Sequence, residues 1–259
     1  MRIALASIVA FSLASSGSAQ EANFTLKWHG QSFISLETPK GKKLVFDPHA
    51  IAEFGRQSTT ADLILCTHRH DDHSQVEIVE NHSAARIFQG LKEPVKNKPP
   101  EWNKFDEKVG LLRIRTVGTY HDPLNGMQRG KNSVFVVEAE GLTFCHLGDL
   151  GHELDEAQVK AIGPIDVLLI PVGGIYTLNG TQARKVTEAL KPRLYAVPMH
   201  FGVPGYEDLL PVDEFLDGQK SVKKYPNTNE LKIPADLKAD GYTVAVLHWK
   251  KEEPIPKKP

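Results

Sequence analysis

The sequence predicts an α/β fold in which two sheets pack together with helices on the outside. Three observations carry this. Strand signals come first as a meander, with Gly30 and Pro39-Lys40-Gly41 as turns; later strands alternate with helical segments; and 41% hydrophobic with 24% charged residues over 259 positions suits one sizeable buried core.

Taken in order, 24–28 and 33–37 alternate apolar and polar residues, as strands with one wet face do. Residues 43–46 continue the meander, and 62–66 close it with an apolar run suited to a strand covered on both faces. A short helix is predicted over 74–81 with Ser74 as its cap. Residues 92–108, polar and Pro-containing, read as an irregular connection. Strands follow at 111–117, 133–139 and 142–146, the last two joined by Glu140-Gly141. A helix over 155–162 stops at Gly163-Pro164, a buried strand spans 167–172, and a second helix over 181–190 starts at Thr181 and ends at Lys191-Pro192. Strands at 194–199 and 243–249 complete the domain, assigned to 20–249, and the Lys, Glu and Pro tail over 250–259 is expected to be disordered.

The first nineteen residues read as a signal peptide. Arg2 precedes an apolar or small run over 3–14, and Gly17 and Ala19 fit the −3 and −1 positions of a cleavage site after Ala19. Such a run is shorter than the roughly 20 residues a bilayer core requires. The mature protein is therefore expected in the periplasm or secreted medium, without a membrane anchor. Loss of Arg2 takes the net charge from −1 to −2, which supplies no attraction for nucleic acid. Its partner is expected to be a small molecule, and nothing in the sequence fixes an oligomeric state. Cys66 and Cys145 end apolar runs and read as buried core thiols.

The strongest chemical signal is Thr67-His68-Arg69-His70-Asp71-Asp72-His73, placed directly after a buried strand. A turn there can aim His68 and His70 at one point and Asp72 and His73 at an adjacent one. Imidazole nitrogen with carboxylate oxygen suits zinc, iron or manganese rather than calcium or magnesium. Three further donors stand at strand ends: His121, Asp149 within Gly148-Asp149, and His200 after Pro198-Met199.

In this order and spacing the chain resembles the metallo-β-lactamase-fold hydrolases, within them the small-hydrolase branch of ascorbate-6-phosphate lactonase-like proteins. Supporting stretches are Trp28-His29-Gly30-Gln31-Ser32, Phe46-Asp47-Pro48 and Ile170-Pro171-Val172-Gly173-Gly174. The resemblance covers about 24–249 and implies a four-layer αββα sandwich with the metal site at strand ends between the sheets. It implies that His68, His70 and His121 hold one divalent ion, that Asp72, His73 and His200 hold a second, and that Asp149 bridges them. Zinc is the expected metal, with manganese and iron as alternatives. Asp47 would orient a ligating histidine.

The implied activity is that of an exported binuclear hydrolase, whose bridging hydroxide cleaves a small ester, lactone or phosphoester, with Asp72 and Asp149 as catalytic carboxylates. The alternatives are an iron-dependent oxidoreductase on the same fold and a non-catalytic metal-binding module. Related sequences often carry a second histidine where this chain has Gln31, and no basic residue matches a β-lactam carboxylate site. His146 is expected to support the site or shuttle protons. Tyr176, His152 and Arg129 are candidate substrate contacts, Arg129 on a mobile basic loop over 123–131. His29, His49, His82 and His248 read as structural.

Overall fold

Alternation decides which face of the first sheet is buried. In the computed structural model, which describes residues 23–55, 58–96 and 98–249, strand β1 (Asn23–Trp28) buries Phe24, Leu26 and Trp28 and leaves the residues between them half-exposed. It continues through β2 (Ile34–Glu37), β3 (Lys43–Phe46), β4 (Leu63–Cys66) and β5 (Arg86–Gln89). With the late strand β13 (Glu230–Pro234) these form a six-stranded sheet ordered β13-β1-β2-β3-β4-β5. The inward residues, among them Leu44, Phe46, Leu63 and Leu65, join the main core, while Phe33, Val45, Ile64 and Cys66 build a second small core on the outer face.

The second sheet holds β6 (Asp106–Val109), β7 (Leu112–Tyr120), β8 (Lys131–Ala139), β9 (Leu142–His146), β10 (Val167–Pro171), β11 (Tyr195–Met199), β12 (Val222–Tyr225) and β14 (Thr243–Leu247). Its order is β12-β14-β11-β10-β9-β8-β7-β6. The sheets meet face to face: the rings of Phe24 and Phe144 lie 5.1 Å apart, and Phe46 stacks on the His146 imidazole at 5.1 Å. Two mixed sheets with few helices make the αββα sandwich implied above. The helical layer is thin over the first sheet, where 3₁₀ turns at Ala52–Phe54 and Val76–Ile78 stand in the crossovers.

Over the second sheet lie α1 (Glu156–Ile162) and α2 (Gly180–Leu190), and the short α3 (Asp213–Leu216) packs on α2. Asp155 and Gln158 form a reciprocal capping box that starts α1. α2 starts the same way with Asn179 and Gln182, so Thr181 lies inside the first turn rather than at the cap and donates its hydroxyl to Glu214 instead. Ala183, Val186 and Leu190 carry the buried stripe of α2.

The helix expected over 74–81 is a single 3₁₀ turn. Its far end is drawn into pairing with 59–61 instead: Val79 bridges Thr59, and the Asn81 side chain both donates to the Ala61 carbonyl and accepts from its N–H. The connection over 92–108 is not irregular to its end, because its last residues form β6, locked by Asp106 accepting two bonds from Arg113. Both cysteines are free and buried, Cys66 in the outer core and Cys145 in the main one, and burial pushes both thiols up. The expected signal peptide and tail lie outside the described residues. Among the described residues no helix is long and apolar enough to cross a membrane.

Strand direction places the site. β7 and β9 are each antiparallel to β8, and so parallel to one another, and β9, β10 and β11 are mutually parallel. Their carboxyl ends therefore reach one edge, as do those of the parallel pair β3 and β4. Asp47, Thr67, His121, Leu147 and His200 each follow directly on one of these ends.

Candidate metal centre

Two groups of donors converge where those strands end: His68, His70 and His121, and Asp72, His73, Asp149 and His200. In the first, His68 Nε2 and His70 Nδ1 are 3.1 Å apart. In the second, His73 Nε2 lies 3.4 Å from Asp72 Oδ2. Asp149 joins the groups through one atom: its Oδ2 is 3.1 Å from His73 Nε2 and 3.2 Å from both His121 Nε2 and His200 Nε2. These separations match the edge of a tetrahedron, about 3.3 Å, around an ion with bonds of roughly 2.0–2.1 Å. His73 Nε2 is also buried without a hydrogen-bond partner. Spacing, donor chemistry and this orphaned nitrogen all fit divalent transition-metal ions.

Surrounding groups fix which nitrogen each imidazole presents. Asp47 accepts the Thr67 N–H and Thr67 hydroxyl, both at 2.7 Å, and the His73 Nδ1–H at 2.9 Å. His73 is thereby turned with Nε2 towards the site. Since the Thr67 hydroxyl proton is spent on Asp47, its oxygen accepts from His68 Nδ1–H at 3.0 Å, which leaves the His68 Nε2 lone pair free. Sequence reading gave Asp47 one histidine to hold; through Thr67 it holds two. For His121 and His200 the Nδ1 atoms have no partner among the described residues, so packing orients those rings.

The loop after β9 is built for close approach. Gly148 has φ +56°, and a Cβ there would fall 2.4 Å from Asn132 Oδ1 and 2.7 Å from the Thr67 side chain. Asn132 Oδ1 also takes the Asp149 N–H at 3.1 Å, and Ser32 donates to Asp149 Oδ1, leaving Oδ2 to the donors. Ser32 and Asn132 were not foreseen as parts of the site, since neither stands in the donor motif. Gln31 does reach it, its amide nitrogen lying 2.9 Å from His200 Nε2 and 3.2 Å from Asp72 Oδ2. Asp47 and His200, with φ of 44° and 52°, hold left-handed backbone at the two strand ends.

Charge follows the same geometry. Burial opposes ionisation of Asp149, but His200 and His73 outweigh it and hold the carboxyl well below its ordinary value. Asp72 behaves likewise through His73. Burial and the neighbouring histidines push His68 well down, and His70 less so. His73 runs the other way: burial would lower it, yet the Asp149 and Asp47 carboxylates raise it well above its ordinary value.

Four other residues singled out in the sequence divide between pocket and scaffold. A pocket of about 250 Å³ is lined by five of the donors together with Arg129 and Tyr176. His152 does not line it, because Tyr120 N–H donates to its Nε2 and its Nδ1–H donates to the Glu153 carbonyl. His146 has no proton to shuttle: Gly148 N–H donates to its Nδ1, and its Nε2–H is committed to the Ser32 carbonyl. It pins together the two segments that grip Asp149. The loop carrying Arg129 is pinned as well, since buried Asp122 accepts the N–H groups of Leu124, Gly126, Gln128 and Arg129. The Asp122 carboxylate was missed because it follows His121 with no spacing signal of its own.

Comparison with known proteins agrees with this geometry. Residues 25–200 match the family model of the beta-lactamase superfamily domain. A UPF0173 metal-dependent hydrolase of Thermoplasma acidophilum is 31% identical, over 69% of this chain and 84% of that protein. A solved member of the metallo-beta-lactamase superfamily from Thermotoga maritima is 32% identical with TM-score 0.64, covering 87% of this chain and 98% of that one. A diiron beta-hydroxylase from Streptomyces venezuelae shares the fold at 14% identity and TM-score 0.53, over 89% of this chain and 54% of that one. The chain belongs to the beta-lactamase superfamily, as one of its metal-dependent hydrolases.

Proposed function

We propose that this chain is an exported binuclear enzyme that cleaves a small ester, lactone or phosphoester. The observation that carries the reading is the position of Asp149 Oδ2, within 3.2 Å of histidines from both donor groups. A carboxylate oxygen can serve two cations at once, which a neutral imidazole cannot. His68, His70 and His121 would hold one ion, Asp72, His73 and His200 the other, zinc being the metal that best suits this donor set. Bound there, the ions supply Lewis acidity and a hydroxide at neutral pH.

The protein's own residues do the positioning. Asp149 sets the spacing of the two donor groups, and Asp47 fixes the faces that His68 and His73 present. Asp72, with its side chain 37% exposed, is the carboxylate open to the pocket. One of its oxygens faces His73 and Gln31, and the other is left to accept a hydrogen bond from the nucleophile and orient it. No serine or cysteine nucleophile is needed: Ser32 is committed to Asp149, and both thiols are buried away from the pocket.

The test is elemental analysis of metal-saturated protein after gel filtration, paired with a hydrolysis screen of lactones, phosphodiesters, phosphonates and β-lactams. Two equivalents per chain and turnover of one of these classes are expected. A reproducible single equivalent would remove Asp72, His73 or His200 from the ligand set. N-terminal sequencing of exported material should begin at Gln20, and an intact Met1 would sink the export reading. Dominant iron with a coloured protein would favour oxidative chemistry instead.

A further inference from the structure

The mouth of the pocket has a chemistry that catalysis does not require. Among the described residues nine large hydrophobic side chains are exposed, and five of them, Leu124, Met127, Ile175, Tyr176 and Leu210, sit on three loops at this edge. These loops touch. Arg129 Nη2 donates to the Ile175 carbonyl at 3.1 Å, and its guanidinium stands 5.6 Å from the Tyr176 ring centre, tying the loop after β7 to the loop after β10. Leu210 N–H donates to the Gly173 carbonyl at 2.8 Å, tying in the loop after β11. Scattered apolar side chains on a surface call for no explanation, but five on loops bonded to one another, with Tyr176 among them lining the reactive pocket, mark a binding surface. The group is also held in place. Burial opposes ionisation of Asp122, yet the backbone donors from Arg129, Leu124, Gln128 and Gly126 hold its carboxyl below the ordinary value, and that anchored turn presents Leu124, Met127 and Arg129 together.

Arg129 is the other half of the argument. Among the described residues it is the one arginine or lysine lining the pocket, and its side-chain partners there are a carbonyl and an aromatic ring, neither of which neutralises it. A guanidinium so placed can pair with phosphate or carboxylate oxygens. We propose that the substrate is amphiphilic: an anionic group rests on Arg129 beside the scissile bond, and an apolar substituent lies over Leu124, Met127, Ile175 and Tyr176. This rests on the hydrolase reading above and narrows its substrate class.

Calorimetric binding of methylphosphonate and octylphosphonate to the zinc-saturated protein tests both halves without needing turnover. The octyl compound, kept below micellar concentration, should bind at least about tenfold more tightly, because the chain leaves water on the rim. The double variant Leu124→Ser, Met127→Ser should erase that difference and leave methylphosphonate unchanged. Arg129→Gln should weaken both ligands by about tenfold with metal content unaltered. A chain-length series from methyl to octyl on the unmodified protein makes the same test without any variant. Equal affinity across that series overturns the apolar half. Unchanged affinity in Arg129→Gln overturns the anionic half and leaves the anion to the metals alone. Sedimentation with phosphatidylglycerol vesicles that is lost in the double variant overturns the proposal in favour of a membrane-docking rim. The two readings fail separately: turnover of a lactone with a flat chain-length series sinks this inference only, whereas a steep series with no hydrolysis of any ester sinks the enzyme mechanism and keeps the amphiphile site.

Discussion

Asp47 and His73 form a fully buried pair, Oδ2 to Nδ1 at 2.9 Å, in which the carboxylate decides the direction of the imidazole. The same oxygen takes the Thr67 hydroxyl and, through it, settles the tautomer of His68. One residue thus prepares a donor in each group while touching no pocket surface. Asp47→Asn keeps the shape but cannot accept from all three donors at once. It should weaken zinc retention by about 10–100-fold, the usual range for partners of metal-bound histidines. Competition against a chromogenic chelator measures this, and unchanged affinity would contradict the role.

Asp149→Ala should do more, because Oδ2 is common to both donor groups. Loss of at least one metal equivalent and at least about a hundredfold in turnover is expected, the scale on which an essential electrostatic or positioning group acts. His82 serves as the control, since its Nδ1–H is spent on the Val79 carbonyl outside the site. His82→Ala should keep both metals and most turnover. If Asp149→Ala retained both metals and activity while His82→Ala lost them, the centre would lie elsewhere.

How much of this was legible in the sequence depends on what each residue answers to. The donors were legible because they follow apolar strands whose direction brings their ends to one edge. The strands that went unread, β5, β6, β12 and β13, are the four edges of the two sheets. An edge strand buries little and stays polar, so Val222-Lys223-Lys224-Tyr225 carries no apolar run to notice. The roles of Thr67, Ser32 and Asn132 went unread for a related reason. Each acts by completing a hydrogen bond to a neighbour distant in sequence, and that depends on which strands pair and, for Ser32, on how the two sheets meet, rather than on local pattern.

Gly148 offers a test of that packing. Alanine there must take φ +56° and place its Cβ 2.4 Å from Asn132 Oδ1, so the loop has to shift and carry Asp149 with it. Gly148→Ala should cost about 1–3 kcal/mol of stability from strain alone and lower metal affinity as well. Chemical denaturation with and without zinc separates the two effects. A variant with native affinity and stability would show that this close approach is dispensable.

Part of the acid sensitivity of the metal-free protein should trace to His49. Its Nε2–H donates to the Gly30 carbonyl at 3.1 Å, a bond the charged ring can keep, whereas its Nδ1 accepts from Ile51 N–H at 3.2 Å, a bond that requires the neutral ring. Burial lowers its pKa from the ordinary 6.5 to about 4, against a smaller opposing effect of the Gly30 bond. The folded state therefore binds fewer protons than the unfolded state between these values. Its contribution to stability is complete above about pH 6.5, falls as pH drops towards 4, and amounts to about 3 kcal/mol over that window. His68, His70 and His146, also lowered by burial, act in the same direction. His73 is raised, so its share is complete below 6.5 and is lost as pH rises through its folded value. Comparing His49→Gln with the unmodified protein cancels these common terms. In the presence of EDTA, denaturation from pH 7 to 4 should show a loss of stability about 3 kcal/mol smaller in the variant, and parallel curves would mean that His49 is not the group being forced to charge.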